Sequence, residues 1–169
     1  NGFPYNDEEL NYSINWPSGL SLGEGHLRAK RSGGIWDFEL TIDASVPGFP
    51  VKDAYQSQAS TEFCSISFER TSSHGARKTS EKTTVDRSRS AAVRVTQGKG
   101  GKSEIPVADC VKDALTYLFF TRKELAQGRV PPPQAVLFGS LRQIQLDYAG
   151  APTIQVNEQP VQVDKMICT

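Results

Sequence analysis

The chain has 169 residues, in which 19 Lys and Arg balance 19 Asp and Glu, so no global field favours nucleic acid or an anionic membrane as partner. No apolar run approaches the roughly 18 to 20 residues that a membrane-crossing helix needs, and residues 1–7 lack the basic and apolar segments of a signal peptide. The length suits one domain over residues 1–169, able to bury roughly 70% of its unfolded surface in one core.

The first strand is expected over residues 10–16. Leu20 and Leu22 then share even parity while Leu27 and Ala29 are odd, so the inward face changes across Gly23-Glu24-Gly25, the signature of a bulge or sharp bend. The next hairpin is the clearest. Trp36, Phe38, Leu40, Ile42, Ala44 and Val46 alternate with polar residues, and Gly33-Gly34 is a two-residue turn. Around that turn, paired residue numbers sum to 67, which sets Lys30 opposite Asp37, Arg28 opposite Glu39, Ala29 opposite Phe38 and Leu27 opposite Leu40. A slip of one residue would place apolar side chains against charged ones, so the pattern specifies its own register.

Further strands are expected at residues 51–57, 63–70, 77–86, 91–97, 135–138, 143–148, 153–156 and 161–167. Turns fall at 73–75, 98–101, 139–140, 149–150 and 157–158. The meander is interrupted once. Val107, Val111, Ala114, Leu115, Leu118 and Phe119 recur at helical spacing, which predicts one main helix over about 107–120, with Pro106 in its first turn. Thr121-Arg122-Lys123-Glu124 reads as a capping box opening a second short turn, ended by Gly128 ahead of Pro131-Pro132-Pro133. The expected fold is mainly β: a strongly curved antiparallel meander, or a partly open β-barrel, with the helix packed on it. At the C-terminus, Val161, Val163, Lys165 and Ile167 alternate and the chain stops without a turn, so it reads as a protein missing further C-terminal strands.

Residues 9–23, ELNYSINWPSGLSLG, resemble the opening of an uncharacterised family of exported bacterial proteins, the domain of unknown function numbered three-one-zero-eight. Asp53, Tyr55 and Ser57 are similar to its D-x-[YF]-x-S strand. Residues 68–77 resemble its hairpin with a basic, glycine-containing turn, and Asp113-Ala114-Leu115 with Tyr117, Arg122 and Gly128 resemble its helix signature. The resemblance implies export to the periplasm or cell envelope and no established activity.

Cys64, Cys110 and Cys168 form no CxxC motif. Cys64 has core parity and Cys110 falls near the helix start, so the two are either a bridge closing 46 positions or two buried thiols. The exported-family resemblance favours the bridge, which leaves Cys168 unpaired.

Catalytic and metal motifs are missing. Residues 98–103, GKGGKS, end like a phosphate loop, but position 96 is Thr96 where the first glycine is required, and Pro106 intervenes before the helix. His26 and His74 accompany no nucleophile motif, and no cofactor or metal is expected. Asp53 lies on an apolar strand parity and needs an inward partner, for which an arginine is expected. Asp113 is expected to pair with a cation or cap a neighbouring turn.

From Arg70 to Lys102 there are nine basic residues against two acidic ones, which marks Arg77, Lys78, Arg87, Arg89 and Arg94 as candidate polyanion contacts. No aromatic residue lies between Phe68 and Tyr117, so base stacking has nothing to act with. The sequence therefore describes an exported, non-enzymatic envelope protein with two functional readings. In the first, a concave sheet holds a lipid or other apolar ligand against Trp16, Trp36, Phe38, Leu115 and Phe119, within an interior that also includes Leu20, Leu22, Leu40, Phe68 and Leu118. In the second, the core is filled and the protein is a structural or interaction module with a basic hairpin face.

Overall fold

The computed structural model describes residues 7–46, 48–98 and 100–169. Eight strands follow one another in space as in sequence: β1 (Glu8–Asn15), β2 (Ser21–Ser32), β3 (Ile35–Val46), β4 (Phe49–Ser60), β5 (Ser65–His74), β6 (Arg77–Asp86), β7 (Ala91–Thr96) and β8 (Lys102–Pro106). All neighbours are antiparallel. After β8 come β9 (Lys112–Asp113), the helix α1 (Ala114–Ala126), β10 (Gln134–Phe138) and β11 (Ser140–Ile144), with β9, β10 and β11 forming a second small sheet. The chain ends in β12 (Leu146–Tyr148), β13 (Thr153–Val156), β14 (Gln159–Gln162) and β15 (Met166–Cys168), paired as β12 with β15 and β13 with β14.

The hairpin between β2 and β3 has the register the sequence demands, including Lys30 with Asp37, Arg28 with Glu39, Ala29 with Phe38 and Leu27 with Leu40. The expected bulge is also present. Pairing of β1 with β2 steps from Ile14 with Gly23 to Asn15 with Ser21, leaving Leu22 extra. Gly23 is required there, because its φ is +154° and a Cβ would sit 2.0 Å from the Asp43 carbonyl oxygen of β3.

Two expectations are corrected. The large sheet is open: among the described residues β1 does not pair with β8, and neither a barrel nor strong curvature is present. Its second face carries Arg28, Lys30, Asp37, Glu39, Gln58, Glu69 and Lys82, and a sheet with one solvated face has no need to close on itself. The helix, expected over about 107–120, instead runs from Ala114 to Ala126. Cys110 has φ +58°, which a helix cannot contain, and Pro106 ends β8. The apolar residues Val107 and Val111 belong to a separate core cluster with Ala92 and Leu137. Asp113 is the N-cap, its carboxyl oxygen accepting from the Leu115 and Thr116 N–H groups. Residues 121–124 open no new turn and continue the same helix, and Gly128 supplies the expected left-handed stop at φ +73°.

The main core lies between α1 and one face of the sheet. It consists of Leu27, Ala29, Trp36, Phe38, Ala59, Phe63, Phe68, Leu115 and Phe119. The Cys64–Cys110 disulfide ties the segment before the helix to the chain entering β5.

Candidate functional site

The helix uses two faces. Leu115 and Phe119 pack on the sheet, where the Phe119 ring stacks on Phe38 with centroids 4.2 Å apart and Phe38 stacks on Trp36 at 5.7 Å. These four members of the expected cavity lining are brought together, but as a close-packed core in which each ring fills the space beside the next. The fifth, Trp16, is elsewhere: it follows the end of β1 at the tip of the β1–β2 turn and is 55% exposed. Leu20 in the same turn is exposed and Leu22 is half-buried at the bulge, so neither joins the main core cluster.

The space lies on the other face of α1. Ala114, Tyr117, Leu118, Thr121 and Leu125 recur three and four residues apart and form one wall of a groove of about 460 Å³. The opposite wall is built by Val136 and Phe138 of β10, Arg142 and Ile144 of β11, Leu146 of β12, and Met166 and Cys168 of β15. Leu118, expected in the interior, is 40% exposed because it faces this groove. The volume falls in the range of small-molecule sites.

Two polar atoms lie beside the carbon lining. Tyr117 is 7% and Thr121 8% exposed; their hydroxyls are neighbours just beneath the lining, and neither makes a well-formed hydrogen bond to any other described residue. Burial pushes the Tyr117 hydroxyl above the ordinary tyrosine range, and the nearby Thr121 hydroxyl opposes that rise only in part. At the groove edge Arg122 binds Glu8 of β1 through two contacts of 2.7 and 2.8 Å, which anchors the outer face of the helix to the sheet, while Arg142 is exposed.

Asp113 is fully buried. Its carboxyl accepts from the hydroxyls of Ser57 (2.6 Å), Ser65 and Thr116 (2.8 Å) as well as from the two capping N–H groups. The strand motif containing Ser57 and the helix motif containing Asp113 therefore meet, in a sealed structural junction that no substrate reaches. The partner of Asp53 is His74 at 3.0 Å, across the β4–β5 pairing, and not the expected arginine: Arg70, two positions along β5 from the Asp53 pairing partner Ser72, lies over the Tyr55 and Phe138 rings instead. His26 is bound to Asn11 on the neighbouring strand. Among the described residues, no three His, Cys, Asp or Glu side chains are grouped to hold a metal.

The candidate basic residues do not form one patch. Arg77 and Lys78 are exposed at the start of β6, whereas Arg87 and Arg89 lie beyond its other end, about 30 Å away along an extended strand. Arg89 pairs with Glu104 at 2.8 Å, and Arg94 donates to the Gly139 carbonyl. Lys99, part of the same basic run, lies outside the described residues.

The groove was hidden from sequence reasoning because its walls come from five elements spread over more than fifty residues. The signal that was present is the second apolar stripe of α1, residues 114, 117, 118, 121 and 125, adjacent to the stripe that packs on the sheet.

A family model described as "Protein of unknown function (DUF3108)" matches residues 11–168. No curated protein and no solved structure matches the chain. The chain belongs to this uncharacterised bacterial domain family.

Proposed function

We propose that this member of the DUF3108 family is a binding module of the bacterial cell envelope that holds a long apolar molecule, of the fatty-acyl kind, in the groove outside α1. One observation carries the reading: a groove of about 460 Å³ is lined by carbon, and just beneath its wall the neighbouring Tyr117 and Thr121 hydroxyls make no well-formed hydrogen bond to any other described residue. Buried polar groups are costly when unpaired, and a ligand with one polar group on an apolar body would satisfy them. Arg142 at the exposed edge suits an anionic head. The Cys64–Cys110 disulfide supports an oxidising compartment, consistent with export. The reading requires no enzyme chemistry. The filled sheet-side core supports the module reading for the sheet itself and moves the ligand to the other side of the helix.

The test is titration with cis-parinaric acid, a fluorescent fatty acid. The chain is expected to bind it saturably at one site. Leu118→Trp, which fills the groove from an already exposed position, abolishes that binding, and Tyr117→Phe weakens it about fivefold. Binding also moves the Tyr117 ionisation, followed by tyrosinate absorbance, further upward, because a fatty-acid carboxylate brought near the hydroxyl disfavours a second negative charge there. Unsaturable binding, or undiminished binding by Leu118→Trp, contradicts the proposal.

A further inference from the structure

The meander places the β1–β2, β3–β4, β5–β6 and β7–β8 turns at one end of the sheet. We infer that this end docks on the surface of an anionic lipid bilayer. On its β1–β4 side it presents Trp16 (55% exposed), Leu20 (58%) and Phe49 (48%), large apolar side chains with no place in the core. On the β5–β6 side it presents Arg77 and Lys78, both exposed, while Lys102 stands farther back along the sheet, level with Val95 and Lys82. The four turns, residues 16–20, 47–48, 75–76 and 97–101, contain no carboxylate. Around the β1–β2, β3–β4 and β5–β6 tips the closest acidic side chains stand about 10 Å back along the strands: Asp43, paired with Lys52 at 2.7 Å, Asp53 beside His74, and Glu24 beside His26; the β7–β8 turn lies nearer to Glu81, opposite Thr96, and to Glu104, paired with Arg89 at 2.8 Å.

The β1–β2 turn is closed on itself, and the β3–β4 and β5–β6 tips are fixed to each other. The Trp16 N–H donates to the Leu20 carbonyl at 2.8 Å, the Gly75 N–H donates to the Pro50 carbonyl at 2.9 Å, and the Phe49 ring lies against Gly75, where a Cβ would come within 2.9 Å. The three turns from β1 to β6 thus form a preordered edge about 25 Å wide. A tryptophan and aliphatic residues beside clustered cations, with no negative charge between them, match an interface where acyl chains lie beneath anionic headgroups. The opposite end differs in kind. Its turns include Glu62, Arg87 and Arg89, and among the described residues Ile35, at 38%, is its large exposed apolar residue.

Flotation of the full chain with vesicles tests this inference. Binding is expected to vesicles of phosphatidylcholine and phosphatidylglycerol mixed two to one, and not to phosphatidylcholine alone. Because Trp36 is already buried, the accompanying blue shift of tryptophan fluorescence comes from Trp16. The Trp16→Ser, Leu20→Ser double variant partitions about tenfold more weakly or worse, and Arg77→Gln and Lys78→Gln each weaken binding about fivefold. All four positions are exposed, and unchanged circular dichroism verifies that the variants fold. The groove-filling Leu118→Trp variant binds vesicles as the parent does, which separates this surface from the proposed ligand site. Equal binding to both vesicle types, binding that the tip substitutions leave intact, or loss of binding with Leu118→Trp overturns the inference.

Discussion

Asp113 does at one position what the fold needs at three. It caps α1, it closes the β9–β10 pairing through its backbone, and its carboxyl gathers the hydroxyls of Ser57 on β4, Ser65 on β5 and Thr116 on α1. A buried carboxyl is tolerated there because five donors converge on it. Asp113→Ala removes the cap and leaves the fully buried hydroxyls of Ser57, Ser65 and Thr116 only each other and the residue-113 N–H as partners, so urea denaturation should show a loss of about 3 to 5 kcal/mol. Asn retains part of the capping and is expected to lose less. The residue itself was legible as a capping candidate. What it caps was not, because Val107 and Val111 extend the helical spacing of apolar residues upstream and conceal that the chain there is extended and turned, with Cys110 at positive φ.

At the scale of elements, the β hairpins were legible and the helix boundaries were not, for physical reasons. Strand pairing at Gly33-Gly34 is fixed by alternation that any slip would ruin, so the sum of 67 recovers every pair from Gly23 with Ala44 to Ser32 with Ile35. β8 was missed because its five residues, KSEIP, lie between a glycine turn and a proline and have little apolar alternation. The helix carries two adjacent apolar stripes, and sequence periodicity does not say which neighbour each one meets. The Cys64–Cys110 bridge holds the helix entrance against β5. It closes 46 positions, which the loop-entropy account values at about 4 kcal/mol. A Cys64→Ser, Cys110→Ser variant is therefore expected to unfold at lower denaturant by about that free energy, and reduction of the parent should reproduce the loss. Equal stability of the oxidised and double-serine forms would show that the bridge adds nothing to the packing around it.

In the molecule as a whole, one polar sheet face meets solvent and the other meets α1, so the sheet stays open and the interior beneath it is solid. The space left for a ligand is outside that core, where the second stripe of α1 faces β10, β11, β12 and β15. This division explains why the sequence reading found the right helix residues for the core, Leu115 and Phe119, and placed a cavity beside them. A volume is a property of three layers, whereas alternation reports only two. The most direct test of the account is a crystal structure of the chain grown with palmitate. The account predicts an acyl chain between α1 and the C-terminal strands, touching Leu118, Ile144 and Met166, with its polar end within hydrogen-bond distance of the Tyr117 or Thr121 hydroxyl. An empty groove, or an acyl chain lodged among Trp36, Phe38 and Phe119 beneath the sheet, would contradict it.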